Sequence, residues 1–113
     1  MRIFVKNQMT TMPTAADVKP YPKYAQGRNE EVVWLDKPVA IGQDDEGQDF
    51  VVLGVSRSVE PRTVEALIID RKASVGQKPL MLGRIWKFAP GFNLKFDQDA
   101  LKQLAKDYDL VVD

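Results

Sequence analysis

The residue types that most often perform catalysis are scarce in this chain. It contains no histidine and no cysteine, which removes the commonest general base, the commonest metal ligand and the most nucleophilic side chain. Serine occurs only at positions 56, 58 and 74, and none of these lies in a Gly-x-Ser-x-Gly or Ser-x-x-Lys motif. Carboxylate, lysine, tyrosine and hydroxyl groups remain, so the sequence predicts a protein that binds rather than catalyses.

An acidic segment in the middle of the chain could offer oxygen ligands to a hard cation such as Ca²⁺. Its members are Asp44, Asp45, Glu46 and Asp49, which surround Gly47. Their spacing does not match the alternating ligands of an EF-hand loop, and turns are rich in Asp and Gly for conformational reasons. A solvent-exposed hairpin turn is therefore the favoured interpretation. We expect no metal and no cofactor, because glycine-rich phosphate-binding motifs are also absent from the sequence.

Positive charge is concentrated in one part of a chain that is neutral as a whole. Sixteen basic and sixteen acidic residues cancel, whereas residues 57–96 carry eight basic and three acidic side chains. Within this region Arg84 and Lys95 are interleaved with Trp86 and Phe88, a combination found at protein interfaces and at surfaces that bind single-stranded nucleic acid. These four residues are candidate partner-binding residues. The competing interpretation is that Trp86 and Phe88 are covered by other parts of the chain, because large aromatic side chains are usually mostly buried.

A long arm or loop is predicted at residues 9–29, which contain three prolines and a glycine. The segment shows neither strand nor helix periodicity. Residues 19–24 have the composition of a stiff polyproline II segment, in which Tyr21 and Tyr24 project in similar directions. Both tyrosines are candidate partner-binding residues, and docking of the arm on the chain's own sheet is the favoured alternative.

A β-hairpin is predicted over residues 83–96, because Pro90 and Gly91 occupy the central positions favoured in a type II turn. This turn would place Trp86 opposite Lys95 across the hairpin. Alternation along the two strands then separates a core side from an exposed side. The core side comprises Ile85, Ala89, Phe92, Leu94 and Phe96, with Lys87 as its only charged member, and the exposed side comprises Arg84, Trp86, Phe88, Asn93 and Lys95.

Apolar runs predict further strands at residues 3–5, 32–35, 39–41, 50–55 and 63–69. Residues 50–55 are almost continuously apolar, which is typical of a central strand that is buried on both faces or bulged at Gly54. Residues 63–69 fit a strand or a helix, and we favour the strand. Residues 110–112 could form a short edge strand or a packed tail.

An amphipathic helix is predicted over residues 97–108. Asp97 is a good N-cap residue, and apolar residues recur behind it at helical spacing. These residues are Ala100, Leu101, Leu104, Ala105 and Tyr108.

The order of these elements predicts an α+β protein. We expect a mostly antiparallel β-sheet, or a small and partly open barrel, of about five strands with one C-terminal amphipathic helix. A chain of 113 residues has the size of one domain, so a single domain over residues 1–113 is expected. The apolar start is too short for a signal peptide and no run could cross a bilayer, which favours a cytoplasmic protein.

Three functions are consistent with this composition. The leading hypothesis is a small non-catalytic binding module that docks on another protein through the aromatic and basic hairpin face. The alternative is a single-stranded nucleic-acid-binding domain with an oligonucleotide-binding barrel, against which the acidic C-terminus counts. The second alternative is a structural subunit of a larger assembly, and a homo-oligomer is compatible with the neutral net charge.

The composition predicts that the purified protein binds no transition metal, since it lacks the two side chains that usually hold one. Elemental analysis of the purified protein should therefore return no stoichiometric zinc, iron or copper. A stoichiometric amount of any of the three would contradict the prediction.

Overall fold

The computed structural model describes residues 1–8, 25–75 and 84–112, which form a curled β-sheet and an α-helix. The strands are β1 (Arg2–Gln8), β2 (Glu30–Asp44), β3 (Asp49–Ser58), β4 (Val64–Arg71), β5 (Arg84–Phe88) and β6 (Leu94–Phe96), and the helix is α1 (Gln98–Asp107). In the described residues the six strands form one sheet in the order β5-β1-β4-β3-β2-β6. The protein is therefore α+β, as predicted, with a sheet that forms a partly open barrel.

The sheet is antiparallel at every described strand pair except one. Strands β2, β3 and β4 follow one another as antiparallel neighbours, with the acidic segment forming the turn between β2 and β3. The exception is strand β1, which pairs in parallel with β4 and does not pair with β2, the next strand in the sequence. The N-terminal strand is thereby placed inside the sheet, with β5 on its other side.

Strands β3 and β4 are buried on both faces. On the inner face Val52, Leu67 and Ile69 belong to a cluster that also contains residues of β1, β2 and α1. On the outer face a second cluster, the outer cluster, comprises Phe4, Ala25, Ala66 and Ile68. Burial on both faces explains why residues 50–55 are almost continuously apolar and why 63–69, in which Glu65 interrupts the apolar run, also fitted a helix.

The predicted strands at 50–55 and 63–69 are both confirmed. The register between β3 and β4 shifts between Val52 and Gly54, so the predicted irregularity at the glycine is present. The two predicted segments at 32–35 and 39–41 belong to one strand, β2, which is irregular between Trp34 and Val39.

Helix α1 forms as predicted and closes the inner face. The side chain of Asp97 accepts hydrogen bonds of 3.1 Å from the backbone N–H groups of Asp99 and Ala100, which is the geometry of an N-cap. Leu101 and Leu104 are buried in the inner cluster. Beyond the helix, Val111 forms an isolated parallel bridge with Thr63. Within the described ranges, α1 is too short and too polar to span a membrane.

The predicted hairpin over 83–96 is wrong. The turn itself forms, since the N–H of Phe92 donates to the carbonyl of Ala89 over 3.2 Å. Gly91 does not adopt the positive φ that a type II turn requires. The flanking strands pair elsewhere, β5 with β1 and β6 with β2, at opposite ends of the sheet order.

Long-range pairing explains this outcome. The N–H of Ala89 donates to the carbonyl of Ile3 and so extends the β1–β5 ladder. Strand β6 approaches β2 closely at Gly42, where a Cβ atom would lie 1.9 Å from the carbonyl oxygen of Lys95. Both short strands thus pair with longer strands, and residues 89–93 connect the two edges of the sheet.

The core side predicted for the 83–96 segment is confirmed in part. Lys87, which was predicted on this side, is exposed, and the side chain of Ile85 lies outside the described structure. Ala89, Phe92, Leu94 and Phe96 pack against the inner cluster. Phe92 meets Phe50 edge to face, with ring centroids 5.2 Å apart, a favourable aromatic geometry. Residues 89–93 therefore contribute two side chains to the core on the open side of the barrel.

The packing of α1 predicts that Leu104→Ala lowers the free energy of unfolding by about 2 to 5 kcal/mol, the usual cost of truncating a buried leucine. Urea unfolding measures this change. Lys102→Ala is the matched control on the exposed side of the same helix and should leave the midpoint almost unchanged. Equal midpoints for Leu104→Ala and the parent would show that the helix does not close the core.

Candidate functional site

Phe88 is the exposed aromatic residue at one edge of the sheet. It ends β5 and faces Phe4 of β1 in the antiparallel register. The two ring centroids lie 5.4 Å apart with the ring planes tilted by 42°. Phe4 is 1% exposed, whereas Phe88 is 44% exposed. The partly exposed ring of Phe88 therefore packs against the buried ring of Phe4.

The register continues this pair into a row across the outer face of the sheet. Phe4 lies beside Ile68, Ile68 faces Gly54, and Gly54 faces Trp34 of β2. The indole of Trp34 lies over Gly54, where a Cβ atom would come within 2.7 Å of its Cε3 atom. We call Phe88, Phe4, Ile68, Gly54 and Trp34 the outer aromatic row.

The two ends of the outer aromatic row are the accessible ones. Trp34 is 37% exposed at one end and Phe88 is 44% exposed at the other. Ile68 is fully buried between them, within the outer cluster. Trp34 was missed by the sequence analysis, although its alternation with Val32 along β2 was a signal that both side chains lie on one face.

A polar cluster lies next to the outer cluster. The carboxylate of Glu30 forms an ion pair with Arg2 and accepts a hydrogen bond of 2.9 Å from the hydroxyl of Ser56. Partial burial by itself raises the pKa of Glu30. Hydrogen bonds from Ser56, from the backbone of Gly27 and from Arg2 lower this pKa, as does the positive charge of Arg2, and together they outweigh the effect of burial. The resulting pKa lies below the ordinary value of 4.5.

This pairing of a hydroxyl with a carboxylate is structural. Ser56 is fully buried, so its hydroxyl cannot reach a substrate in solution. The groups around the carboxylate lower its pKa, and a general base with a pKa far below neutral pH is weak. The cluster instead joins β1, β2 and β3 and fixes the chain where it enters β2.

The predicted partner-binding residues do not form one surface in the way that the hairpin implied. On β5, Arg84 pairs with Gln8 and Trp86 with Lys6 along the backbone, while the side chains of Arg84 and Trp86 lie outside the described structure. Lys95 lies on β6 beside Gln43, at the opposite end of the sheet order. Trp86 and Lys95 are therefore not cross-strand neighbours.

The predicted arm at 9–29 falls largely outside the described residues. Tyr21 and Tyr24 belong to the part that is not described, 9–24. The first residue after it, Ala25, is fully buried in the outer cluster. The end of the arm segment therefore packs against the outer face of the sheet.

The acidic segment forms the hairpin turn that the sequence favoured. Asp44 accepts hydrogen bonds of 2.9 Å from the backbone N–H groups of Glu46 and Gln48, and Asp49 accepts one from the side-chain amide of Gln43. Such bonds stabilise a turn without a metal ion. Across the described residues no group of three or more acidic side chains is arranged to hold a metal.

A cleft of about 370 Å³ lies beside Lys95. Lys72 and Lys95 line it together with Asp49 and Asp97. Two positive and two negative charges balance, so the cleft does not favour an anionic ligand.

The chain was compared with known protein families, curated protein sequences and solved structures, and none of the three comparisons gave a match. The functional interpretation therefore rests on the geometry and chemistry of the chain's own residues.

The polar cluster predicts that replacing Glu30 makes stability depend differently on pH. Because the pKa of Glu30 is lowered by folding, its ionised form contributes stability above the unfolded value, and that contribution is lost as the pH falls through the folded value. Glu30→Gln should lower the urea midpoint at neutral pH, and the difference from the parent should shrink below about pH 4.5.

Urea unfolding at several pH values measures this difference. Glu46→Gln, at an exposed position in the β2–β3 turn, is the matched control and should follow the parent at each pH. A difference for Glu30→Gln that stays constant down to the acid limit of folding would contradict the role assigned to the carboxylate.

Proposed function

We propose that this protein is a non-catalytic binding module that docks on another protein through the β5 end of the outer aromatic row. The observation that carries the proposal is Phe88, which is 44% exposed although its neighbour Phe4 is buried. Aromatic side chains are enriched among the residues that dominate binding energy at protein interfaces.

The position of Phe88 suits an interface anchor. Its backbone belongs to a strand that is paired with β1, and its ring rests on Phe4. A side chain that is already ordered loses little conformational entropy on binding, so more of its contact energy appears as affinity. Trp34, at the other end of the row, offers a second accessible aromatic surface on the same face.

The charge next to Phe88 favours an acidic protein surface. Lys87 precedes Phe88 in β5 and is exposed, with its side chain on the opposite face of the strand, and the 57–96 region in which both lie has an excess of basic residues. Complementary charge mainly increases the association rate and the specificity of a complex. A partner that binds along the β5 edge, with an apolar group on Phe88 and carboxylates near Lys87, is thus consistent with these side chains.

The nucleic-acid alternative loses its main support when Lys95 is separated from β5. A surface for single-stranded nucleic acid combines stacking aromatics with a continuous basic groove, and the predicted groove required Lys95 beside Trp86. Binding through β5 alone provides Phe88 and Lys87 but no such groove among the described side chains. We keep this alternative, and that of a structural subunit, as outcomes of the experiment below.

Affinity capture from a lysate of the source cells tests the proposal, with and without nuclease treatment. Truncating an interface anchor costs about 2 kcal/mol or more of binding energy, or roughly thirtyfold in affinity. Phe88→Ala should therefore lose the captured partner, while thermal unfolding should show that the variant still folds, because Phe88 is 44% exposed and belongs to neither buried cluster. Moderate salt should weaken the capture only slightly.

Val59→Ala is the matched control, because Val59 is an exposed apolar residue, 51% accessible, at the β3–β4 connection. This variant should retain the partner. Retention of the partner by Phe88→Ala would contradict the proposed surface, and loss of all captured material after nuclease treatment would favour nucleic acid over protein. Recovery of a constant stoichiometric assembly that is unaffected by Phe88→Ala would favour a structural subunit.

A further inference from the structure

We propose that the free edge of β5 binds an acidic, extended segment of the partner protein as an additional strand of the sheet. This inference rests on the proposed function and specifies how the partner is recognised. Addition of a strand to an exposed edge is a known mode of peptide recognition, in which backbone hydrogen bonds supply affinity and side-chain alternation supplies specificity.

The backbone of β5 is oriented for such pairing. It is the last strand in the sheet order and has β1 as its single described neighbour. The N–H of Ala89 donates to the carbonyl of Ile3, and the register places Phe4 opposite Phe88. Hydrogen-bonded pairs in an antiparallel ladder occur at every second residue, so Lys87 and Ile85 bond to β1.

The other residues of β5 therefore direct their backbone groups away from the sheet. They are Arg84, Trp86 and Phe88. No strand within the described ranges lies on that side of β5. Their N–H and C=O groups form a regular row of donors and acceptors that an incoming strand could use.

Other edges of the described sheet are less suitable. Strand β6 has only three residues. The side of β2 beyond β6 is interrupted by the irregularity between Trp34 and Val39, and Pro38 within it lacks an N–H donor. Strand β5 contains no proline and keeps one register with β1 along its length.

Charge selects the kind of segment. The sequence of β5 contains Arg84 and Lys87 and no acidic residue. Lys87 is exposed and forms no ion pair with a described residue. Opposite charges on neighbouring strands stabilise pairing and like charges oppose it. The edge therefore favours carboxylates on the incoming strand and opposes pairing with a second copy of itself.

The two faces of β5 define a pattern for the partner. Phe88 lies on the outer face with Phe4, whereas Lys87 lies beside Val5 on the other face. A strand alternates its side chains between faces. The segment that fits best places apolar residues beside Phe88 and acidic residues beside Lys87, which is an alternating apolar and acidic sequence.

A synthetic peptide of alternating valine and glutamate, about ten residues long, which is the upper end of the usual strand length, is a suitable probe. Amide hydrogen exchange followed by NMR reads out the edge directly. With this peptide in excess, exchange at the amides of Trp86 and Phe88 should slow by about tenfold or more as they become hydrogen-bonded. Two control peptides should give no protection: alternating valine and lysine, and valine–glutamate with methylated backbone nitrogens.

Charge reversal provides the matched pair of variants. Lys87→Glu should invert the preference, so that the valine–lysine peptide protects Trp86 and Phe88 and the valine–glutamate peptide does not. Lys102→Glu, at an exposed position on α1, should bind the two peptides as the parent does. Neither substitution removes a buried side chain, so both variants should fold.

The outcomes separate this inference from the proposed function. Equal binding of the acidic and basic peptides, binding that survives backbone methylation, or unprotected Trp86 and Phe88 amides would overturn strand addition. If strand addition fails while Phe88→Ala still loses the captured partner, docking uses side chains alone and the proposed function stands. If Phe88→Ala also retains the partner, both proposals are wrong.

Discussion

Burial of β4 on both of its faces is the constraint on which the rest of the structure depends. Leu67 and Ile69 face the inner cluster, and Ala66 and Ile68 face the outer cluster. Apolar area removed from water is the main favourable term in folding, and a strand buried on two faces needs cover on each. Helix α1 contributes to the inner cluster and Ala25 to the outer one.

The parallel pairing of β1 with β4 follows from the same constraint. A strand at the centre of a sheet needs neighbours on both edges for its backbone groups, and β4 has β3 on one side and β1 on the other. Because β1 occupies that position, β5 is added outside it and becomes an edge of the described sheet. Phe88 thus lies at the edge of the described sheet because β1, and not β5, supplies the backbone partners of β4.

The segment that follows the candidate binding edge also packs against the interior of the barrel. Residues 89–93 run from the end of β5 to the start of β6, with Ala89 and Phe92 packed on the core. This packing covers the apolar interior without pairing the outer edge of β5. Among the described residues no strand lies beside the outer edge of β5, which is the arrangement that strand addition requires.

The features that depend on local chemistry could be predicted from the sequence alone. The amphipathic helix could be predicted because Asp97 caps its own helix and the apolar spacing places Leu101 and Leu104 on one side. The exclusion of thiol and imidazole chemistry needed only the composition. The β2–β3 turn was predictable because Asp44 bonds to backbone groups a few residues away.

Which strands are neighbours, in contrast, is specified only by the three-dimensional fold. The turn at 89–92 forms, yet the residues on either side of it pair with β1 and β2. Strand pairing sums backbone hydrogen bonds and burial over residues far apart in sequence, so a local turn signal cannot specify it. For that reason Lys95 left the predicted site, and Phe4, Phe88 and Trp34, from three distant segments, came to lie in one row.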